Sequence, residues 1–491
     1  MKRFFVISCA CFYLGNLFSQ TMLSLQDCLN LALEQSRDLR IKQEEVKIAE
    51  HKKLQAKAAY FPKIDATLAY FRLSDEVNLL SEDKFLPIGT IMPDGSFGFT
   101  KDHINNQWTM LNGVPVPIDA NGQPFNPKKN PEKIQWKNFT TIPREELTVD
   151  AKNIFIGAIS LVQPIFMGGK IKYSNKMAEI GIDIAKQQQS LEKSEILYST
   201  ENAYWTVISV NNKVKTVMDY QKLLMQLETN VNELFNEGMA TKADVLKVKV
   251  KLNEINTNLT KAQNGLSLAK MQLCQYVGYP MGTNIQLLDE ISYQELIQTD
   301  NGYLDLNVAL MSREEIKSLE KLIDLSESKE KIAFSEYLPK IGLIASYMYS
   351  NPDFLNGFEK EFAGSWNVGV TMKIPIFHWG EQKQKVQTAK SERLIAEMKL
   401  DDTREKIELQ FRQATYRIDE SKKRLVAAKN NLLQAEENLK YAKLSFDEGL
   451  VTITDVLDAQ TSWYAAYSEE TDALIELKLN HLYLKKVSGL L

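Results

Sequence analysis

One half of this chain repeats the other at fixed spacing, and any fold it adopts must accommodate that duplication. Phe235-Asn-Glu-Gly238-Met-Ala-Thr241-Lys-Ala-Asp244-Val-Leu246 returns as Phe446-Asp-Glu-Gly449-Leu-Val-Thr452-Ile-Thr-Asp455-Val-Leu457. The offset is 211 (238 + 211 = 449; 244 + 211 = 455) and also relates Pro164 to Pro375, Gly169 to Gly380 and Gly278 to Gly489. Upstream, Tyr60-Phe-Pro62-Lys-Ile64 returns as Tyr337-Leu-Pro339-Lys-Ile341 at an offset of 277, which also relates Ala32-Leu33 to Ala309-Leu310. The difference between the offsets (277 − 211 = 66) means that the first unit carries that many extra residues between the two markers. The chain therefore divides into a first repeat, 21–278, a linker, 279–301, and a second repeat, 302–491.

Lys2 and Arg3, followed by a mostly apolar run over 4–18, read as a secretory signal spanning residues 1–20. A short membrane anchor is the other reading, but the run falls short of the roughly 20 apolar residues a helical span needs. No later stretch is apolar enough to cross a membrane as a helix, so the remainder is either soluble or crosses as a β-barrel. Lys and Arg number 59 against 63 Asp and Glu, mixed in sign, which gives no reason to expect nucleic acid. Cys28 and Cys274, the two cysteines beyond the signal, are expected as buried free thiols, although an oxidising compartment would permit a disulfide.

Residues 170–236 contain no proline and one glycine, Gly181, and read as a single helix on the order of 100 Å long. Over 241–277 a heptad places Val245, Leu252, Leu259, Leu266 and Leu273 in one seam, with Val248, Ile255, Ala262 and Ala269 three residues on. Val456, Trp463, Leu477 and Leu484, with Ala459, Ala466 and Ala473, make the matching seam. A shorter leading helix is expected in each repeat, over 25–59 and 306–336. It and the helix after the glycine turn together match the long helix in length.

Strands interrupt the helices. Trp366, Val368, Val370, Met372 and Ile374 alternate with Asn367, Gly369, Thr371 and Lys373. Ile341, Leu343, Ala345, Tyr347 and Tyr349 share one face, while 64–73 and 154–163 alternate less cleanly. Each repeat thus carries a pair of strands of about 10 residues, near the length that crosses a bilayer. Four strands leave open edges that lipid does not tolerate, whereas three chains would supply twelve. The residues alone leave two readings open: a trimeric barrel, or a small soluble sheet on a coiled coil. The extra residues, 75–152, are rich in Gly, Pro, Asn and Asp, and are expected to be loops with one hairpin.

The order and duplication of these pieces resemble the TolC-type outer-membrane efflux proteins over essentially the whole chain after the signal. The resemblance rests on Leu25-Gln-Asp-Cys-Leu-Asn-Leu-Ala-Leu33 and on Tyr-x-Pro before each strand pair. It rests further on Gln163-Pro-Ile-Phe-Met-Gly-Gly169 and Ile374-Pro-Ile-Phe-His-Trp-Gly380, and on the glycine turns. It implies a mainly α fold with a transmembrane β-barrel: a homotrimer with a twelve-stranded barrel in outer-membrane lipid and an α-barrel in the periplasm. It implies a passive exit duct for drugs, toxic compounds or proteins, joined to an inner-membrane pump by a periplasmic adaptor. Gly238 and Gly449, with Phe235, Phe446, Thr241 and Thr452, would then form the adaptor-facing tip. Asp455 and Asp458, with Asp244 and Lys247, would line the periplasmic entrance. Without the resemblance, Asp455 and Asp458 read as a solvated helix face favoured by the helix dipole. An arginine and a tyrosine hold some relatives shut; Val451 and Phe446 stand at those positions, so that network does not carry over.

No catalytic constellation is visible. Gly168-Gly169-Lys170 lacks the remainder of a P-loop, and His51, His103, His378 and His481 are scattered. No enzyme activity and no cofactor are expected. The alternative to a duct is a periplasmic or surface coiled-coil scaffold without a pore.

Overall fold

The two long helices are equal in length. In the computed structural model, which describes residues 21–149, 152–290, 305–357 and 359–491, α3 (Lys170–Asn236) and α7 (Glu381–Asp447) each run 67 residues. Their ends obey the sequence offset (170 + 211 = 381; 236 + 211 = 447). The expected signal, 1–20, and residues 291–301 of the expected linker lie outside the described residues. Both long helices start after a glycine in the left-handed region, Gly169 (φ 87°) and Gly380 (φ 80°). Both end at a turn that leads into α4 (Lys242–Val277) and α8 (Ile453–Val487).

The leading helices differ from the expectation of one helix each. The first is α1 (Leu25–Gln35) plus α2 (Arg37–Ala58), broken at Ser36, and the second is α5 (Leu306–Ser312) plus α6 (Glu314–Phe334), broken at Arg313. The breaks are repeat-equivalent (36 + 277 = 313). Ser36 (ψ 123°) leaves the helix and its hydroxyl accepts from the Leu39 amide, capping α2. Arg313 (ψ 123°) donates to the Lys486 and Val487 carbonyls, both at 3.2 Å, satisfying the end of α8. A local hydrogen bond is not visible in apolar periodicity, so a single helix was the natural expectation.

The chain divides into two compact units that cut across the repeats. The helical unit takes residues up to 59, 168–338 and 375–491. Within it α2 and α4 pack along α3, α6 and α8 pack along α7, and α3 meets α6 and α8. Tyr204, Ile208, Leu273 and Val277 are fully buried together with Cys28 and Cys274, both free thiols. Burial pushes Cys28 up to about 12. No helix among the described residues is long and apolar enough to cross a membrane.

The sheet unit takes 60–167 and 339–374. Four strands, β1 (Lys63–Arg72), β2 (Asn153–Met167), β3 (Lys340–Asn351) and β4 (Ala363–Lys373), form one antiparallel sheet in sequence order. Its register aligns Ile64, Leu161, Ala345 and Val368 in one row and Ala66, Ile159, Tyr347 and Trp366 in the next. Side chains alternate along a strand, so these rows share one face with Leu68, Tyr70, Leu343, Tyr349, Val370 and Met372. That face is apolar over its middle rows, with Arg72, Asn153 and Gln163 toward its ends, and is bare: Leu68 is 89% exposed and Trp366 76%. The opposite face carries Lys63, Asp65, Thr67, Ser160, Ser346, Asn367 and Thr371. Asn367 donates to the Ser346 hydroxyl at 2.8 Å. Tyr70 and Phe155, and Phe362 and Tyr349, meet at the end where the insertion leaves.

Two strand expectations need correction. β2 continues past Gln163 to Met167, because a bulge between Pro164 and Phe166 absorbs the proline that cannot donate. The insertion holds four short antiparallel pairs instead of one hairpin: Val77–Asn78 with Thr148–Val149, Lys84–Pro87 with Phe139–Ile142, Thr90–Ile91 with Phe97–Gly98, and Trp108–Leu111 with Val114–Pro117. The last turns on Asn112 and Gly113, both at positive φ. Ile104 and Phe125 are buried, as is Asn106, whose amide donates to the Ile118 and Lys133 carbonyls. Runs of two to four residues are too short to show a period, and two of the four pairs join residues more than 50 apart in sequence.

Candidate functional site

The two helix–helix turns are built alike. Gly238 (φ 79°) and Gly449 (φ 75°) end the long helices. The residue after each donates back to the helix, Met239 to the Leu234 carbonyl and Leu450 to the Ser445 carbonyl, both at 2.7 Å. A Cβ at either glycine would meet nothing within 4 Å, so backbone conformation and not space demands glycine.

Thr241 and Thr452 then start the next helices with reciprocal caps. The Thr241 amide and hydroxyl donate to Asp244 Oδ2 at 3.1 and 2.6 Å, and those of Thr452 donate to Asp455 Oδ2 at 2.7 and 2.6 Å. These threonine hydrogen bonds, the side-chain one first, hold both carboxyls below the usual carboxylate range. Capping therefore fixes the Asp455 charge on an exposed surface, whereas Asp244 is half-buried and pairs with Lys247. Asp458 lies exposed one turn beyond Asp455.

The fold brings the two turns together. Phe446, Ile453 and Val456 pack with Leu227, Val231, Val245 and Val248. Phe235, its repeat counterpart, remains 37% exposed, with the Lys242 ammonium 5.5 Å from its ring. Lys247 reaches Asp244 (3.5 Å) and the Thr454 hydroxyl (3.2 Å) within the chain, not Asp455 or Asp458. Lys251 is the cation that feels Asp458. The hydrogen bond it donates to Glu254 is the main cause raising it, and Asp458 adds to the effect.

Sequence reasoning missed the residues that join the repeats above the turns. Tyr220 and Thr461 share a hydrogen bond at 3.0 Å, and Tyr220 stacks on Tyr464 at 4.8 Å. Lys213 pairs with Asp472 at 2.8 Å. The signal was present as a failure of the repeat: at the 211 offset, Tyr220 aligns with Asn431 and Tyr464 with Asn253. Beside them a pocket of about 230 Å³ is lined by Leu227, Asn230, Lys443, Phe446 and Gln460. Gln460 is buried and its Oε1 has no partner among the described residues, while burial lowers the neighbouring Lys443. Among the described residues no group of three or more His, Cys, Asp or Glu is placed to hold a metal.

This paired-turn, long-helix architecture with a bare-faced four-stranded sheet has close counterparts. The family profile described as "Outer membrane efflux protein" matches residues 306–490. The match covers the second repeat, so the chain is similar to the outer membrane efflux proteins there. It is 23% identical over 355 residues to outer membrane protein TolC of Escherichia coli K12, covering 69% of this chain and 70% of that one. It is 20% identical over 361 residues to the alkaline protease secretion protein AprF of Pseudomonas aeruginosa, covering 72% and 74%. The solved outer membrane protein VceC of Vibrio cholerae superposes with a TM-score of 0.69 at 15% identity, covering 95% of this chain and 96% of that one. The likeness to the solved structure shows a shared, mainly helical fold.

Proposed function

We propose that three copies of this chain form a passive exit duct through the outer membrane, serving an efflux or protein-secretion system. One observation carries the reading. The four-stranded sheet presents a continuous apolar face to the outside, and its outer strands β1 and β4 leave edges unpaired among the described residues. Lipid tolerates the apolar face but not the edges. Three sheets joined edge to edge give twelve strands and remove every edge. The alternating polar face then lines the bore, and the aromatic cluster at the insertion end supplies an interfacial girdle. Long loops of outer-membrane barrels lie outside the cell, so residues 75–152 project outward and the helices extend into the periplasm.

On this reading Asp455 and Asp458 ring the periplasmic entrance, with Asp244 and Lys247 beside them. Six carboxylates from the first pair attract cations. The turns at Gly238 and Gly449, with Phe235, Phe446, Thr241 and Thr452, present the adaptor contact, and the pump supplies the energy. Kinship with TolC and with AprF, named for protease secretion, supports small molecules and proteins alike as cargo. No cofactor enters the mechanism. The test is single-channel conductance in a planar bilayer, with Asp455 and Asp458 intact and then both changed to Asn. Cation-selective channels that lose selectivity in the variant support the duct and its acidic mouth. Unchanged selectivity removes the acidic ring, and folded protein without channels removes the duct in favour of a scaffold.

A further inference from the structure

Charge is unevenly distributed along the long helices. Every passage of the chain between the two units joins a strand to one of four helix ends: the last turns of α2 and α6 or the first turns of α3 and α7. Residues 50–62, 170–179, 327–338 and 381–390 hold eleven lysines against six glutamates, a net of +5 (11 − 6), in a chain whose net charge is −4. The opposite ends, 227–251 and 438–462, hold six lysines against eight carboxylates, a net of −2 (6 − 8). Helix stability accounts for Lys57 and Lys331 in the last turns of α2 and α6, but not for Lys170, Lys172 and Lys383 at the starts of α3 and α7, where the helix dipole favours acidic residues. Mutual pairing explains only part of it. Lys53 pairs with Glu179, and Lys385 with Glu336 and Glu381. Lys331, Lys383 and Lys390 form no ion pair among the described residues.

These three lysines line a pocket of about 370 Å³ between α6 and α7 together with Phe334, Tyr337 and Glu330, whose charge is met by Arg393 at 3.4 Å. Phe334 is 52% exposed there. The segment leading into α7 is barer still: Ile376 is 92% exposed, Phe377 68% and Trp379 91%. Phe377 and Trp379 pack edge to face at 5.0 Å, and Trp379 holds a left-handed backbone (φ 49°) that is rare for a bulky residue. Aromatic side chains beside unpaired lysines, immediately past a strand end, match the chemistry of a membrane interface. The rings enter the headgroup layer and the ammonium groups meet phosphate.

We propose that this basic, aromatic collar binds anionic phospholipid headgroups of the periplasm-facing leaflet. Lys331, Lys383 and Lys390 form its phosphate-binding pocket, and Phe377 and Trp379 its apolar anchor. The proposal rests on the duct reading above.

The test equilibrates the purified full-length protein with an equimolar mixture of phosphatidylglycerol and phosphatidylcholine and counts retained lipids by native mass spectrometry. Wild type retains phosphatidylglycerol preferentially, and salt erodes the preference. Changing Lys331, Lys383 and Lys390 together to Gln lowers the preference by about fivefold per lysine, whereas changing them to Arg preserves it. Equal retention of both lipids by wild type overturns the proposal, as does an unchanged preference in the Gln variant. Binding to isolated peptidoglycan that the Gln variant loses, with lipid preference unaltered, also overturns it and reassigns the collar to the cell wall. Planar-bilayer conductance is recorded on the same preparations. Conducting protein without lipid preference sinks the collar alone; folded protein that never conducts sinks the duct and the collar together.

Discussion

Val368→Arg tests which face of the sheet meets lipid. Val368 stands midway along β4, five residues from Ala363 and five from Lys373 (368 − 363 = 373 − 368 = 5). At about 3.4 Å per residue and a tilt near 45°, each strand end lies roughly 12 Å above or below it. Val368 is thus expected near the bilayer midplane, where an outward arginine costs about 2–4 kcal/mol. Three copies bring the cost to about 6–12 kcal/mol per trimer, comparable to the whole stability of an ordinary domain. Asn367→Arg provides the control, because Asn367 points to the other face and loses only its bond to Ser346, worth about 1 kcal/mol. The assay is urea titration of folding into lipid vesicles, read by the SDS-resistant oligomer. Val368→Arg should abolish or strongly shift folding, and Asn367→Arg should shift it slightly. Equal damage from both, or harm from Asn367→Arg alone, would refute the assignment of faces. A harmless Val368→Arg would mean that the face meets water, as a soluble scaffold requires.

Other outcomes follow from the helical unit. Arg313→Gln removes the charge-assisted bonds to the end of α8 and should cost about 1–3 kcal/mol, measured by thermal unfolding. Tyr220→Phe loses only the bond to Thr461 and should cost about 1 kcal/mol, whereas Tyr220→Ala also loses the stack on Tyr464 and a filled core and should cost about 3–5 kcal/mol; amide exchange along α8 separates the two. Because its threonine partner depresses Asp455 in the folded state, the cap contributes fully above the ordinary carboxylate value of 3.8 and is lost as pH falls through the lower folded value. Amide protection at the start of α8 should decline over that acidic window, and Asp455→Asn should remove the pH dependence.

The helices were legible because their signals are long. A 67-residue stretch without proline, and a heptad recurring at a fixed offset, leave little room for another fold. The apolar rows were legible on β4, where Trp366, Val368, Val370 and Met372 alternate strictly. They were weaker on β2, where Ile154, Ile156 and Val162 make the second face apolar as well. Breaks at Ser36 and Arg313 stayed hidden, since each depends on side-chain hydrogen bonds: one local bond at Ser36, and bonds to Glu315 and to the distant end of α8 at Arg313. The short pairs of the insertion stayed hidden because Lys84–Pro87 finds Phe139–Ile142 more than 50 residues away. At the turns, glycine and capping threonine were readable from local rules, but the partner of Lys247 was not. That contact with Thr454 depends on how one coiled pair lies against the other.

The matched lengths of α3 and α7 set a rule for editing this protein. Deleting one residue from either would rotate its turn by about 100° and retract it by about 1.5 Å relative to its twin, so the two tips would no longer share a level. Length is therefore adjustable only in register: whole heptads, each about 10.5 Å, added to or removed from α3, α4, α7 and α8 together. The duplicated helices act as a pair of rulers that must be recut to the same mark.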